Sequence, residues 1–189
     1  MTTLVDSRSV FVTFVKEHWF GIMVLIAVFL FNVFGAVVCR GDENYQGEYA
    51  WNVNIVARTI WREGRGDGKN GMYAVACVIQ KRTLMKSLSA ADVCLRRRWD
   101  KKASRWTYWF SCWSKATAKD KDYRSLPKTE EARFAQELAK AVVDGEILNH
   151  DFVKDADHYC TLDTDPYWAD GVEPVAVIGN HKYFKLGQC

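Results

Sequence analysis

The sequence predicts an α+β fold, mainly helical with a small β element, preceded by one N-terminal transmembrane helix. Three observations carry that prediction. An uncharged apolar run extends from Phe20 to Val38, apolar residues recur at helical spacing in three later segments, and the C-terminal stretch mixes turn-forming residues with one short apolar run, VAVI. With 189 residues, 49% hydrophobic and 14% aromatic, the chain has material for one domain with a sizeable core. A formal charge of +3 demands no polyanionic partner, and three prolines without a low-complexity tract argue against long disordered linkers.

Residues 1–19 read as a leader. Residues 20–38, FGIMVLIAVFLFNVFGAVV, are interrupted only by the polar Asn32. A bilayer core of about 30 Å takes roughly 20 apolar residues as a helix, so this run just spans it. Hydrophobic cores of cleaved signal peptides are shorter, about 7–15 residues, which favours an uncleaved signal anchor. Arg8 and Lys16 precede the run, whereas Arg40 behind it is followed by Asp42 and Glu43. The positive-inside rule then keeps the N-terminus in the cytoplasm. The expected protein is a single-pass protein of the cytoplasmic (inner) membrane, with a polar stem over 39–50 and a domain over 51–189 outside the cytoplasm.

Six cysteines suit an exported domain, where disulfides form, but their pairing is not legible; Cys77, between Ala76 and Val78, reads equally well as a buried free thiol. There is no C-x-x-C and no H-E-x-x-H, and the four histidines are scattered, so neither a metal site nor a cofactor is expected.

From about Trp51 the pattern turns helical, with Val53, Val56, Ile60 and Glu63 on one stripe. Gly64 is expected to stop that helix. Met72, Val75, Ala76 and Ile79 mark a second helix. The tail of the joining segment, GDGKNG, fits the dinucleotide pattern G-x-G-x-x-G, but that motif needs a strand in front of it, and a helix stands there instead. The RGD within the segment is incidental. Ser89 and Asp92 make a capping-box-like start to a short helix. The stretch RRRWDKKASRWTYWFSCW, residues 96–113, interleaves basic and aromatic residues. Such stretches bind single-stranded nucleic acid in some proteins. In a nearly neutral, exported chain a solvated loop, or contact with anionic headgroups or wall polymers, is the better reading, and no nucleic-acid partner is expected. Thr129 caps a further helix whose stripe is Glu131, Ala135, Leu138, Ala139 and Val142, ending at Gly145. The segment from Asp155 onward reads as loops with a small hairpin.

The segment ARTIWREGRGDGKNGMYAVACVIQKR resembles the signature of SleB-type cell-wall hydrolases, and WFSCW, DADHYC, DPYWAD and IGNHKYF follow it in the family's order, from Asn52 to Phe184. The resemblance implies a lysozyme-like, mainly helical fold with a small β portion. It also implies cleavage of the MurNAc–GlcNAc bond of peptidoglycan, by a muramidase or a lytic transglycosylase. On it the catalytic glutamate falls on Glu63, the second loop acid on Asp67, and the histidine–tyrosine pair on His158 and Tyr159. Two departures stand out: Gly64 and Asp67 replace an alanine and a glutamate of the family's loop, and Asp155-Ala156-Asp157 replaces a Gly-Ala lead-in.

A general acid must hold its proton near neutral pH. An apolar stripe and a helix C-terminus both disfavour a carboxylate's charge, which suits Glu63 to that work. Asp67 is either a second acid or a turn stabiliser. Paired carboxylates stand about 5–5.5 Å apart in retaining glycosidases and about 6.5–9.5 Å apart in inverting ones. A lytic transglycosylase needs only one acid. Tyr159 and His158 either bond the sugar or pack as a core pair, and Trp109, Trp113 and Trp168 are offered for stacking on sugar rings. His181 reads as a structural hydrogen-bonder. The expected function is a membrane-anchored lytic transglycosylase that takes glycan strands and leaves 1,6-anhydro ends. The alternatives are a hydrolytic muramidase using Glu63 with Asp67, and a non-catalytic glycan-binding component of an envelope or a phage virion. A phage-encoded lysis enzyme fits the same features.

Overall fold

A computed structural model describes residues 45–100, 104–114 and 126–187, together with Met23, Ile26 and Phe29, which are helical. The expected transmembrane segment, those three positions apart, lies outside the described residues, as do Cys39 and Cys189. Among the described residues no helix is long and apolar enough to cross a membrane. The chain divides into two units, Met1–Gly47 and Glu48–Cys189, and the second holds the elements below apart from the first residues of α1.

Helix α1 covers residues 45–64 and so begins earlier than its apolar stripe: residues 45–50, expected as part of a stem, are already helical. Glutamate, glutamine and alanine there are good helix formers, and Asn52 Nδ2 donates to the Glu48 carbonyl at 3.1 Å. Val53, Val56 and Ile60 are buried, as their spacing required, and Ile55, Ala57 and Thr59 are buried with them. Gly64 does not stop the helix in a left-handed conformation. Its backbone is right-handed (φ −102°, ψ −12°), the chain passes through a 3-10 turn, Arg65–Asp67, and the positive φ falls on Gly68 at 66°. Position 64 needs glycine for room, since a Cβ there would sit 2.6 Å from the Met72 backbone.

Helix α2 (Gly68–Lys86) is the central element. Met72, Val75, Ala76 and Ile79 face the larger core, with Phe110, Val93 and Leu138. Ala74, Cys77 and Val78 face a second, with Val153, Ala156 and Tyr183. Helix α3 (Ala90–Leu95) starts as expected, with Ser89 Oγ accepting from Asp92 N–H at 3.1 Å. Helix α4 (Glu130–Asp144) is capped by Thr129 and closed by Gly145 at φ 78°. Its buried stripe begins at Ala132 and not at the expected Glu131, which is exposed.

The stretch expected as a solvated loop contains an antiparallel pair, β1 (Arg97–Asp100) and β2 (Arg105–Tyr108), with Trp99 opposite Trp106. Those two rings meet edge to face, with centroids 5.8 Å apart, the kind of cross-strand contact that stabilises a hairpin. The C-terminal segment forms a three-stranded antiparallel sheet from β3 (His158–Thr161), β4 (Ala176–Ile178) and β5 (His181–Phe184), in the order β3-β5-β4. The result is a mainly helical α+β domain. Cys77, Cys94 and Cys160 form no disulfide among the described residues, although the cysteine count allowed them. Burial pushes the Cys77 and Cys94 thiols up to about 12.

Candidate active site

Glu63 occupies the last turn of α1, and three donors from two other parts of the chain converge on its carboxyl. Oε1 accepts from the Cys112 backbone N–H at 2.7 Å and from the Ser111 hydroxyl at 3.2 Å. Oε2 accepts from the Tyr159 hydroxyl at 3.0 Å. Ser111 and Cys112 belong to a 3-10 turn, Ser111–Trp113, just beyond β2, and Tyr159 stands on β3. The two carboxyl oxygens are therefore not equivalent. A backbone N–H cannot turn round, so Oε1 is committed as an acceptor. A phenol rotates and can donate to a carboxylate or accept from a carboxylic acid. The oxygen able to carry a proton is Oε2. Burial, and then the negative charge of Glu63, push the Tyr159 phenol well above its usual 10, so its hydroxyl keeps its own proton. The Cys112 thiol is likewise pushed up, by burial and then by Glu63.

Asp67 is drawn elsewhere. Its side chain is 2% exposed; Oδ1 accepts from the Asn180 N–H at 2.8 Å and Oδ2 from Nδ1 of His181. Gly179 and Gly71 leave room for it, since a Cβ at either would come within 2.5 Å of an Asp67 side-chain atom. Asp67 thus braces the α1–α2 junction against the turn between β4 and β5, and His181 is its partner.

His158 turns Nδ1 to Asp157 Oδ1 at 2.8 Å. Asp157 is 1% exposed and also accepts from Leu186 N–H at 2.9 Å and Gly187 N–H at 2.7 Å. Burial would raise the Asp157 carboxyl, but His158 and those two N–H groups outweigh it and hold the group below the usual range. Burial is also the main effect on His158 and lowers it, with Arg82 and Arg98 adding to the shift against the pull of Asp157. A neutral imidazole whose Nδ1–H is committed presents Nε2 as an acceptor. Its ring lies 5.1 Å from that of Trp168.

A cleft of about 480 Å³ brings together His158, Tyr159, Trp109 and Trp168 of the expected site residues. Ser111 and Tyr159, both hydrogen-bonded to Glu63, form part of its wall, so the half-buried carboxyl lies within hydrogen-bond distance of the cleft lining. Trp113 is not in the cleft. It is 7% exposed, its indole N–H reaches Thr59 Oγ1 at 2.9 Å, and Arg58 covers its ring, all of which place it in the core. Several participants were not expected from the sequence: Ser111, the Cys112 N–H, Asp157, Asp100 on the wall, and a bank of arginines, Arg82 and Arg96 to Arg98. WFSCW marked the neighbourhood of the first two, yet a backbone donor has no signature of its own. Among the described residues no cluster of His, Cys, Asp or Glu is arranged to hold a metal ion.

Comparison with curated proteins and with solved structures gives no match. The model of the cell wall hydrolase family matches residues 66–184, taking in Asp67, Trp109, His158, Tyr159 and Trp168 and beginning just past Glu63. With the larger part of its length matched, and with residues of four of the SleB-type blocks lining one cleft, the chain belongs to the SleB-type cell wall hydrolases, enzymes that cleave peptidoglycan.

Proposed function

We propose that this protein is a membrane-anchored lytic transglycosylase whose single acid–base catalyst is Glu63. The observation that carries this reading is the hydrogen-bonding of Glu63, with Oε1 held by Cys112 N–H and Oε2 turned to Tyr159 on the cleft wall. Oε2 protonates the oxygen that leaves between MurNAc and GlcNAc. The resulting carboxylate then takes the proton of the MurNAc 6-hydroxyl as that oxygen attacks the anomeric carbon, which closes a 1,6-anhydro ring without water. Acid and base are one group used twice. The engagement of both Asp67 oxygens by Asn180 and His181 favours this route over one with Asp67 as second acid. His158 Nε2 accepts from a sugar hydroxyl, and Trp109 and Trp168 offer the rings their apolar faces.

A hydrolytic muramidase is the second reading, and Asp100 on the cleft wall is the observation that favours it. Digestion of purified peptidoglycan by the full chain, followed by mass spectrometry of the products, separates the two. Anhydro ends support the transglycosylase, products that have gained water mean a muramidase, and bound but uncut strands mean a glycan-binding protein. The anchor, residues 20–38, rests on length and lack of charge, and the orientation on Arg8 and Lys16. A lysis role for a phage is compatible with one compact domain on one apolar segment.

A further inference from the structure

Arg96, Arg97 and Arg98 follow one another at the start of the hairpin, and all three reach the wall of the cleft that Ser111 and Tyr159 close. Among the described residues none of the three is paired with a carboxylate. Each guanidinium lies against an aromatic ring instead. Arg96 stands 6.0 Å from the Trp109 centroid, Arg97 5.9 Å from Trp106 and 5.7 Å from Tyr108, and Arg98 5.6 Å from Tyr167. A guanidinium whose flat face is supported by a ring keeps its N–H edge available, and that edge matches a planar carboxylate. Like charges set side by side repel, and Asp100 on the same wall offsets one of the three at most, so the wall calls for a further anion.

The sugars do not supply one, because GlcNAc and peptide-linked MurNAc are uncharged. The anionic groups that peptidoglycan carries beside the scissile bond are the carboxylates of the stem peptide, which hangs from the MurNAc lactyl ether. A wall phosphodiester polymer is the other source of negative charge. Attached at the MurNAc 6-oxygen, it would block the hydroxyl that the proposed reaction uses. We propose that Arg96, Arg97 and Arg98 form a subsite for stem-peptide carboxylates, so that the enzyme selects peptide-bearing glycan over uncharged glycan. This rests on the reading of the cleft as the glycan site.

The test is direct binding of the full chain to soluble glycan oligomers that carry stem peptides, labelled at the reducing end and followed by fluorescence anisotropy. One sample keeps its carboxylates and the other has them amidated. The native oligomer should bind at least about tenfold more tightly, the worth of one charge-assisted hydrogen bond. The double variant Arg97→Gln, Arg98→Gln should bind the native oligomer only as well as the amidated one, with no further loss on the latter. Lys128→Gln with Lys140→Gln removes the same charge away from the cleft and should preserve the preference. Equal binding of both oligomers by the wild type overturns the subsite, as does an equal loss in the lysine variant or stronger competition by polyglycerol phosphate than by free stem peptide. Cleavage of both oligomers at one rate with no binding preference removes the subsite and leaves the transglycosylase standing. If neither oligomer is bound or cut, the glycan reading of the cleft falls together with the subsite.

Discussion

The inequality of the two Glu63 oxygens makes definite demands on substitutions. In Glu63→Gln the amide oxygen still accepts from Cys112 N–H, and the amide nitrogen still meets the Tyr159 hydroxyl. Only the exchangeable proton is lost. Release of soluble muropeptides should therefore fall about 100- to 10,000-fold, the range for removing a general acid, while the melting temperature stays close to that of the wild type. Retained activity in a well-folded Glu63→Gln protein would remove Glu63 from the mechanism. Tyr159→Phe keeps the ring stack with Tyr183, whose centroid is 5.6 Å away, and loses the bond to Oε2. Its turnover should drop about tenfold, in keeping with one hydrogen bond of roughly 1.5 kcal/mol. His158 and His150 are both lowered from 6.5, each by burial first. As the pH falls below about 6.5 the unfolded chain takes up these protons before the folded one does. The stability they contribute is complete above that value and lost towards the lowered folded values. Thermal melts from pH 7.5 to 5 should show the midpoint falling, less steeply in His158→Gln than in the wild type.

Asp67 and Gly64 work through the elements they join. Asp67→Ala leaves the Asn180 N–H without its acceptor and should cost about 1–3 kcal/mol, read by denaturant unfolding, while the mass of the cleavage products stays the same. A protein of undiminished stability that has lost all turnover would instead make Asp67 a catalytic acid. Gly64→Ala forces a Cβ into the α2 backbone, costs about 1–3 kcal/mol, and displaces the neighbouring Glu63, so stability and turnover should fall together. Gly145→Ala, with φ 78° and open space around it, should cost about 1–2 kcal/mol and leave turnover alone. The helices were legible because Val53, Val56 and Ile60, then Met72, Val75, Ala76 and Ile79, repeat at the spacing of a buried face. The β1–β2 hairpin was not. None of its strand residues is buried, so no two-residue hydrophobic alternation marks it; cross-strand rings hold it together. Gly64 was legible as a glycine needed at a helix end, but the reason was mistaken, because a close approach of distant backbone leaves no local pattern. Asp157 looked like a departure from the family and is the buried clamp on His158.

The proposed assembly as a whole is an anchored domain, and the full chain should sediment with membranes and resist alkaline extraction, whereas a chain lacking residues 1–38 should not. The parts of the site come from far apart along the chain. Glu63 meets Ser111 and Cys112 across 48 and 49 positions and Tyr159 across 96, and Asp67 meets Asn180 and His181 across 113 and 114. Contacts of such long range form late and together. The bonded arrangement of Glu63 draws on β3, which carries Tyr159, and β3 has β5 as its partner. A chain clipped before residue 181 carries Glu63 without the strand that pairs with β3 and so without the support for its Tyr159 contact. The proposed wall-cutting activity therefore requires the chain through β5, and copies interrupted earlier should lack it.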